Sequence, residues 1–96
     1  MIKIDPVLLH RFSQKYGEEE QLLQASGECG ELVAVIQNYL RAKKFGHRSE
    51  TQGDVIEEAV DVFFMVQQIR HMNIPLFDSI CKTKIAAVLQ KFQNEG

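Results

Sequence analysis

The chain has 96 residues, 45% of them hydrophobic and 25% charged, with a formal net charge of −2. This is enough for one domain with one core, spanning 1–96, and the composition is that of a globular chain rather than a disordered one. The weak negative charge offers no general attraction to nucleic acid or to an anionic membrane, and no apolar run approaches the roughly 18 residues that a membrane span requires.

No charged-then-apolar leader opens the chain, so a cytoplasmic protein is expected. Cys29 and Cys81 lie inside helical patterns and lack metal-type spacing, which makes small reduced core residues the expectation for both.

Asp5-Pro6 followed by VLLHRFSQKYG predicts a short first helix, with Asp5 as N-cap, Pro6 at the first position and Gly17 as the stop. Leu8, Leu9, Phe12 and Tyr16 share one side, and His10 lies off it as a solvated or packing residue. A second helix starts near Glu18 to Glu20, acids that suit a helix N-terminus, and runs to about Ala42. Leu22, Ala25, Cys29, Leu32, Ile36 and Leu40 recur at steps of three and four and mark a packing face. Gln24, Glu28, Glu31, Val35 and Asn38 form another stripe on the same helix. Gly27 and Gly30 flank its acids; each costs about 1 kcal/mol relative to alanine, so either something approaches closely there or the helix is poorly optimised.

RAKKFGHRSETQGD then reads as a loop, whose Lys43, Lys44, His47 and Arg48 could meet a phosphate but more commonly would be solvated. The third helix is predicted over Thr51 to Met72 and is apolar around nearly its whole circumference, so burial on almost every side is expected. The exception is the stripe Asp54, Glu58, Asp61, Met65 and Gln68. After a break at Asn73-Ile74-Pro75, a fourth helix runs from Leu76 to about Phe92 with Phe77, Ile80, Cys81, Ile85, Val88, Leu89 and Phe92 on its core face. Lys84 falls on that apolar face, with Lys91 on the same edge, where a lysine either snorkels or reaches a carboxylate site.

The chemistry resides in two acid pairs, Glu28 with Glu31 and Glu58 with Asp61, each spaced by three residues on a mainly apolar helix. Buried carboxylates are costly unless paired or metal-bound, and few cations lie nearby in the sequence. A divalent cation would resolve the repulsion. All-oxygen ligation without matching His or Cys favours Mg²⁺, with Mn²⁺ as the alternative, over zinc. The competing expectation is a solvated acidic face, or one paired to lysines of a partner subunit.

With its acids at these positions, the chain resembles the MazG-like, all-α nucleoside triphosphate pyrophosphohydrolase family, whose signature is E-E-x-x-E, a variable gap, then E-x-x-D. G-E-C-G-E at 27–31 and E-A-V-D at 58–61 match it, and KIAAVLQKF from Lys84 to Phe92 resembles the family's C-terminal lysine segment. Gly27 departs from the pattern, standing where the first glutamate would be, and Val88 stands where many members carry asparagine. The resemblance implies an all-α, four-helix-type antiparallel bundle that forms a homodimer or homotetramer. It implies Mg²⁺-dependent hydrolysis of (deoxy)nucleoside triphosphates to monophosphate and pyrophosphate. Glu28, Glu31, Glu58 and Asp61 would hold the metal, with Glu28 or Glu31 as base and Lys84 and Lys91 on substrate phosphates. The alternative is a non-catalytic helical nucleotide-binding or interaction module that has lost turnover through Gly27.

Overall fold

A computed structural model describes residues 2–46 and 50–95, and every element in them is helical. α1 spans Pro6–Phe45, α2 Gln52–Met72 and α3 Ile74–Glu95. The predicted first and second helices are the two arms of α1, joined at Gly17, whose φ of 76° and ψ of 173° break the helical path. That backbone region is essentially confined to glycine. The break frees the Gly17 carbonyl, which accepts a hydrogen bond from Gln21 Nε2 at 3.0 Å. Asp5 Oδ1 accepts from the Val7 N–H at 2.9 Å and caps the N-terminus ahead of Pro6. Gly46, in the left-handed region at φ 76° and ψ 7°, ends α1 three residues beyond the expected Ala42.

α2 opens on a reciprocal cap: the Thr51 N–H donates to Asp54 Oδ2 at 2.8 Å and the Asp54 N–H donates to Thr51 Oγ1 at 3.3 Å. The Asn73 side chain begins α3 by accepting from the Leu76 N–H at 3.2 Å. Arg70 reaches across this turn to Asp78 with two parallel hydrogen bonds of 2.9 and 3.0 Å, fixing the departure of α3 from α2.

α1 and α2 form an antiparallel hairpin. His10 lies beside His71, Phe12 meets Phe64 edge-on at 5.4 Å, and Glu31 lies near Glu58, so partners descend along α2 as they ascend along α1. The buried positions are Leu9, Gln21, Ala25, Val35 and Ala42 from α1 and Met65 and Gln68 from α2. α3 contacts α2 alone, and α1 and α3 do not come together.

Three expectations are corrected here. The bundle is not closed within one chain, because α3 leaves the hairpin and its intended core face is exposed, Val88, Leu89 and Phe92 included. α2 is not buried on nearly every side; Ile56 and Val60 remain more than half exposed because only α1 covers it along its length. Cys29 and Cys81 are free and exposed rather than in the core, as both lie on faces that no other element of the chain covers. Lys43 and Lys44 belong to the last turn of α1, where positive charge suits the helix dipole; His47 and Arg48 lie outside the described residues.

Candidate functional site

The antiparallel register sets the acid pair of α1 beside that of α2. One carboxylate oxygen from each of Glu28, Glu31 and Glu58 lies within 4.8 Å of the other two. Asp61 stands one turn along α2 from Glu58 and is close enough to raise the proton affinity of both Glu28 and Glu58. Three of the four acids named from spacing are therefore brought together, with Asp61 beside them. Asp54, on the same sequence stripe, serves the cap of α2, and its hydrogen bonds from Thr51 hold its pKa below the ordinary aspartate value.

Glu28 and Glu58 are half-buried, and on each the Oε2 atom is shielded from solvent with no hydrogen-bond partner. Loss of hydration pushes the pKa of Glu28 up, and the charges of Glu31, Asp61 and Glu58 push it further in the same direction. Glu58 is raised for the same reasons, first by desolvation and then by Glu31, Asp61 and Glu57. Carboxylates this close, with two shielded oxygens lacking any donor, fit a hard divalent cation as their common partner. Glu28, Glu31 and Glu58 could each offer it one oxygen.

Cavities flank the cluster on both sides. One of about 300 Å³ is walled by Glu28 and Asp61 together with the rings of Phe12, Tyr16 and Phe64 and the amides of Gln21, Gln24 and Gln68. Phe12 stacks on Tyr16 at 5.9 Å, so the aromatic wall is continuous. The other, of about 280 Å³, is bounded by Glu31, Glu57, Glu58 and Asn38. Gln21 escaped the sequence reading. Its signal was its position four residues after Gly17, one turn along a helix whose first carbonyl needs a donor.

Lys84 and Lys91 are on α3, exposed, and neither is ion-paired with the acids among the described residues. The one salt bridge among the described residues is Arg70 with Asp78. A Cβ added at Gly27 or Gly30 would meet nothing within 4 Å among the described residues. None of the helices among the described residues is long and apolar enough to cross a membrane. Comparison of the chain with protein-family models, with curated proteins and with solved structures found no match.

Proposed function

We propose that this protein is a Mg²⁺-dependent hydrolase of the MazG-like kind, converting (deoxy)nucleoside triphosphates to monophosphate and pyrophosphate. The observation that carries the reading is the convergence of Glu28, Glu31 and Glu58, with Asp61 beside them and two solvent-shielded oxygens left without a donor. Mg²⁺, or Mn²⁺, bound there would neutralise charge on phosphate oxygens. Glu28 and Glu58, whose pKa values are raised by desolvation and by their acidic neighbours, lose a proton less readily than ordinary glutamates, and a bound cation would favour their charged form. Glu28 or Glu31 orients a water and accepts its proton as the water attacks phosphorus. The cavity on the Glu28 side is large enough to seat a flat ring against Phe12, Tyr16 and Phe64, with glutamine amides at its edge.

A panel of triphosphates with Mg²⁺ is expected to yield pyrophosphate and monophosphate; orthophosphate as the sole inorganic product rejects the reading. Glu58→Gln keeps the size of the side chain and removes one ligand charge, and should lower kcat/KM by at least about 100-fold, the scale on which removing one electrostatic stabiliser acts. The same substitution should abolish the rise in melting temperature that Mg²⁺ gives the wild-type chain, a readout independent of turnover.

Gly27 supports a second reading, a nucleotide-binding module without turnover. Open space surrounds this position, and the carboxylate that the family pattern places there is missing. Calorimetry would then record triphosphate binding in Mg²⁺ while no product forms.

A further inference from the structure

Two buried amides give the cavity beside Glu28 a second chemical end. Gln21 stands seven residues before Glu28 on α1, and Gln68 stands seven residues after Asp61 on α2. Seven residues make two helical turns, about 10 Å along the axis, and return to nearly the same side. Because α1 and α2 run antiparallel, both amides are displaced from the acids in the same direction. All four residues line the one cavity, with the rings of Phe12, Tyr16 and Phe64. It therefore has an acid end and an amide end.

Gln21 and Gln68 are each only 4% exposed, and a buried amide is costly unless its hydrogen bonds are made. The Gln21 amide has one orientation. Its Nε2 donates to the Gly17 carbonyl at 3.0 Å; a carbonyl only accepts, so the NH₂ group must face it and Oε1 must face away. Among the described residues no side chain or backbone donor reaches Gln21 Oε1, yet this oxygen is not sealed from solvent as Glu28 Oε2 and Glu58 Oε2 are. For a residue this buried, the opening is the cavity that it lines. Gln68 differs. Its Nε2 meets Met65 Sδ at 3.5 Å, a weak acceptor, so this amide is free to turn and to offer either its N–H or its oxygen.

We infer that the amide end reads the edge of a nucleobase, with Gln21 selecting bases that carry an exocyclic amine, cytosine or adenine, over their oxo counterparts. This rests on the functional reading above, which sets the phosphates at the acids. The aromatic rings do not choose, because every base has a π-face to stack. The exocyclic group lies on the side of the base away from the sugar and so falls to the amide end. An amine there donates to Gln21 Oε1. An oxo group sets a second acceptor against that oxygen and leaves both unsatisfied. Turning Gln21 over would only move the conflict, placing Oε1 against the Gly17 carbonyl. Gln68 takes the neighbouring ring nitrogen, as donor to a bare one or as acceptor from a protonated one, so discrimination falls to Gln21.

Two matched pairs isolate the contact: dCTP against dUTP, and dATP against dITP. Within each pair the bases differ only at the exocyclic group and the proton on the ring nitrogen beside it. With Mg²⁺, pyrophosphate release should favour the amino member by at least about 10-fold in kcat/KM in each pair that the chain accepts, the scale on which one well-made base contact discriminates. Calorimetry with the α,β-imido analogues, which cannot release pyrophosphate, should give the same order in Kd. Gln21→Leu should bring both ratios close to one, whereas Gln68→Leu should weaken both members of a pair and keep the ratio. A ratio taken within one preparation does not depend on how much of a variant is folded, and the wild-type ratios need no variant at all. Equal use of both members, preference for the oxo member, or a preference that survives Gln21→Leu overturns the proposal and leaves the hydrolase reading standing. Amino-selective binding with no pyrophosphate from any substrate upholds the role of Gln21 and removes only the hydrolase reading. Neither binding nor product removes both.

Discussion

At the scale of single residues, Glu28 and Glu58 impose a dependence on pH whose sign is opposite to that of ordinary paired acids. Their folded pKa values lie above the usual 4.5, so the folded chain holds more protons than the unfolded one over the interval between the two values. Their contribution is therefore most favourable below 4.5 and is lost as pH rises through the folded values. Asp54 and Asp78 act the other way. Hydrogen bonds from Thr51 and Arg70 hold them below 3.8, and the stability they add is lost as pH falls through their folded values. The two windows do not overlap. In the presence of a chelator, the melting temperature should fall as pH is raised from 4.5 toward neutrality. Millimolar Mg²⁺ should recover it at neutral pH and have little effect in the acid range. A Glu28→Gln, Glu58→Gln double variant should flatten the profile and melt higher than wild type at neutral pH without metal. A wild-type profile in chelator that rises toward neutrality would mean that these carboxylates are not held in mutual repulsion.

At the scale of elements, the signals in the sequence that proved reliable are those that act through backbone geometry. Asp5-Pro6 starts α1 and Gly17 breaks it; Gly46, which ends it, stood inside the stretch expected to be a loop. Gly17→Ala should destabilise the chain by about 1–3 kcal/mol, because the backbone conformation excludes an L side chain; space is not the limit, since nothing lies within 4 Å of the added Cβ. Denaturant titration measures this, and an unchanged midpoint would mean the bend is not maintained in solution. Thr51→Ala removes the hydroxyl that accepts from the Asp54 N–H and should cost about 1 kcal/mol. Less legible was the choice of inward face. Between Gln21 and Ala42, α1 is apolar on more than one side, so periodicity offered the stripe Leu22, Ala25, Cys29, Leu32, Ile36 and Leu40 as readily as any other. Of that stripe only Ala25 is buried; with it the hairpin buries Gln21, Val35 and Ala42, a neighbouring stripe that includes Glu28 and so turns this acid toward α2. The acid pairs were legible because spacing by three places two side chains on one side of a helix whichever face that becomes. The departure of α3 was not, since an apolar face reads the same whether its cover comes from its own chain or from another.

At the scale of the molecule, the interior is small. Among the described residues no large side chain is fully buried, and the apolar core consists of Leu9, Ala25, Val35, Ala42 and Met65, two of them alanines. Against this stands the conformational entropy of ordering three helices, on the order of 1–2 kcal/mol per residue for the backbone alone. Most of the apolar surface that could offset it lies on α3 and on the outside of α1, and becomes effective only once it is covered. The homo-oligomer that the family resemblance implies would cover it, and predicts a melting temperature that depends on protein concentration. The size of the effect follows from the two chains of 96 residues that unfold together. At about 2.1 cal/mol/K per residue their unfolding entropy is roughly 0.4 kcal/mol/K, and a tenfold change in concentration shifts the balance by about 1.4 kcal/mol, so the midpoint should rise by about 4 °C per tenfold increase. Scanning calorimetry over two decades of concentration measures it directly. A midpoint that does not move shows a protomer able to fold alone, with interior contacts that two helices and five buried apolar side chains do not supply.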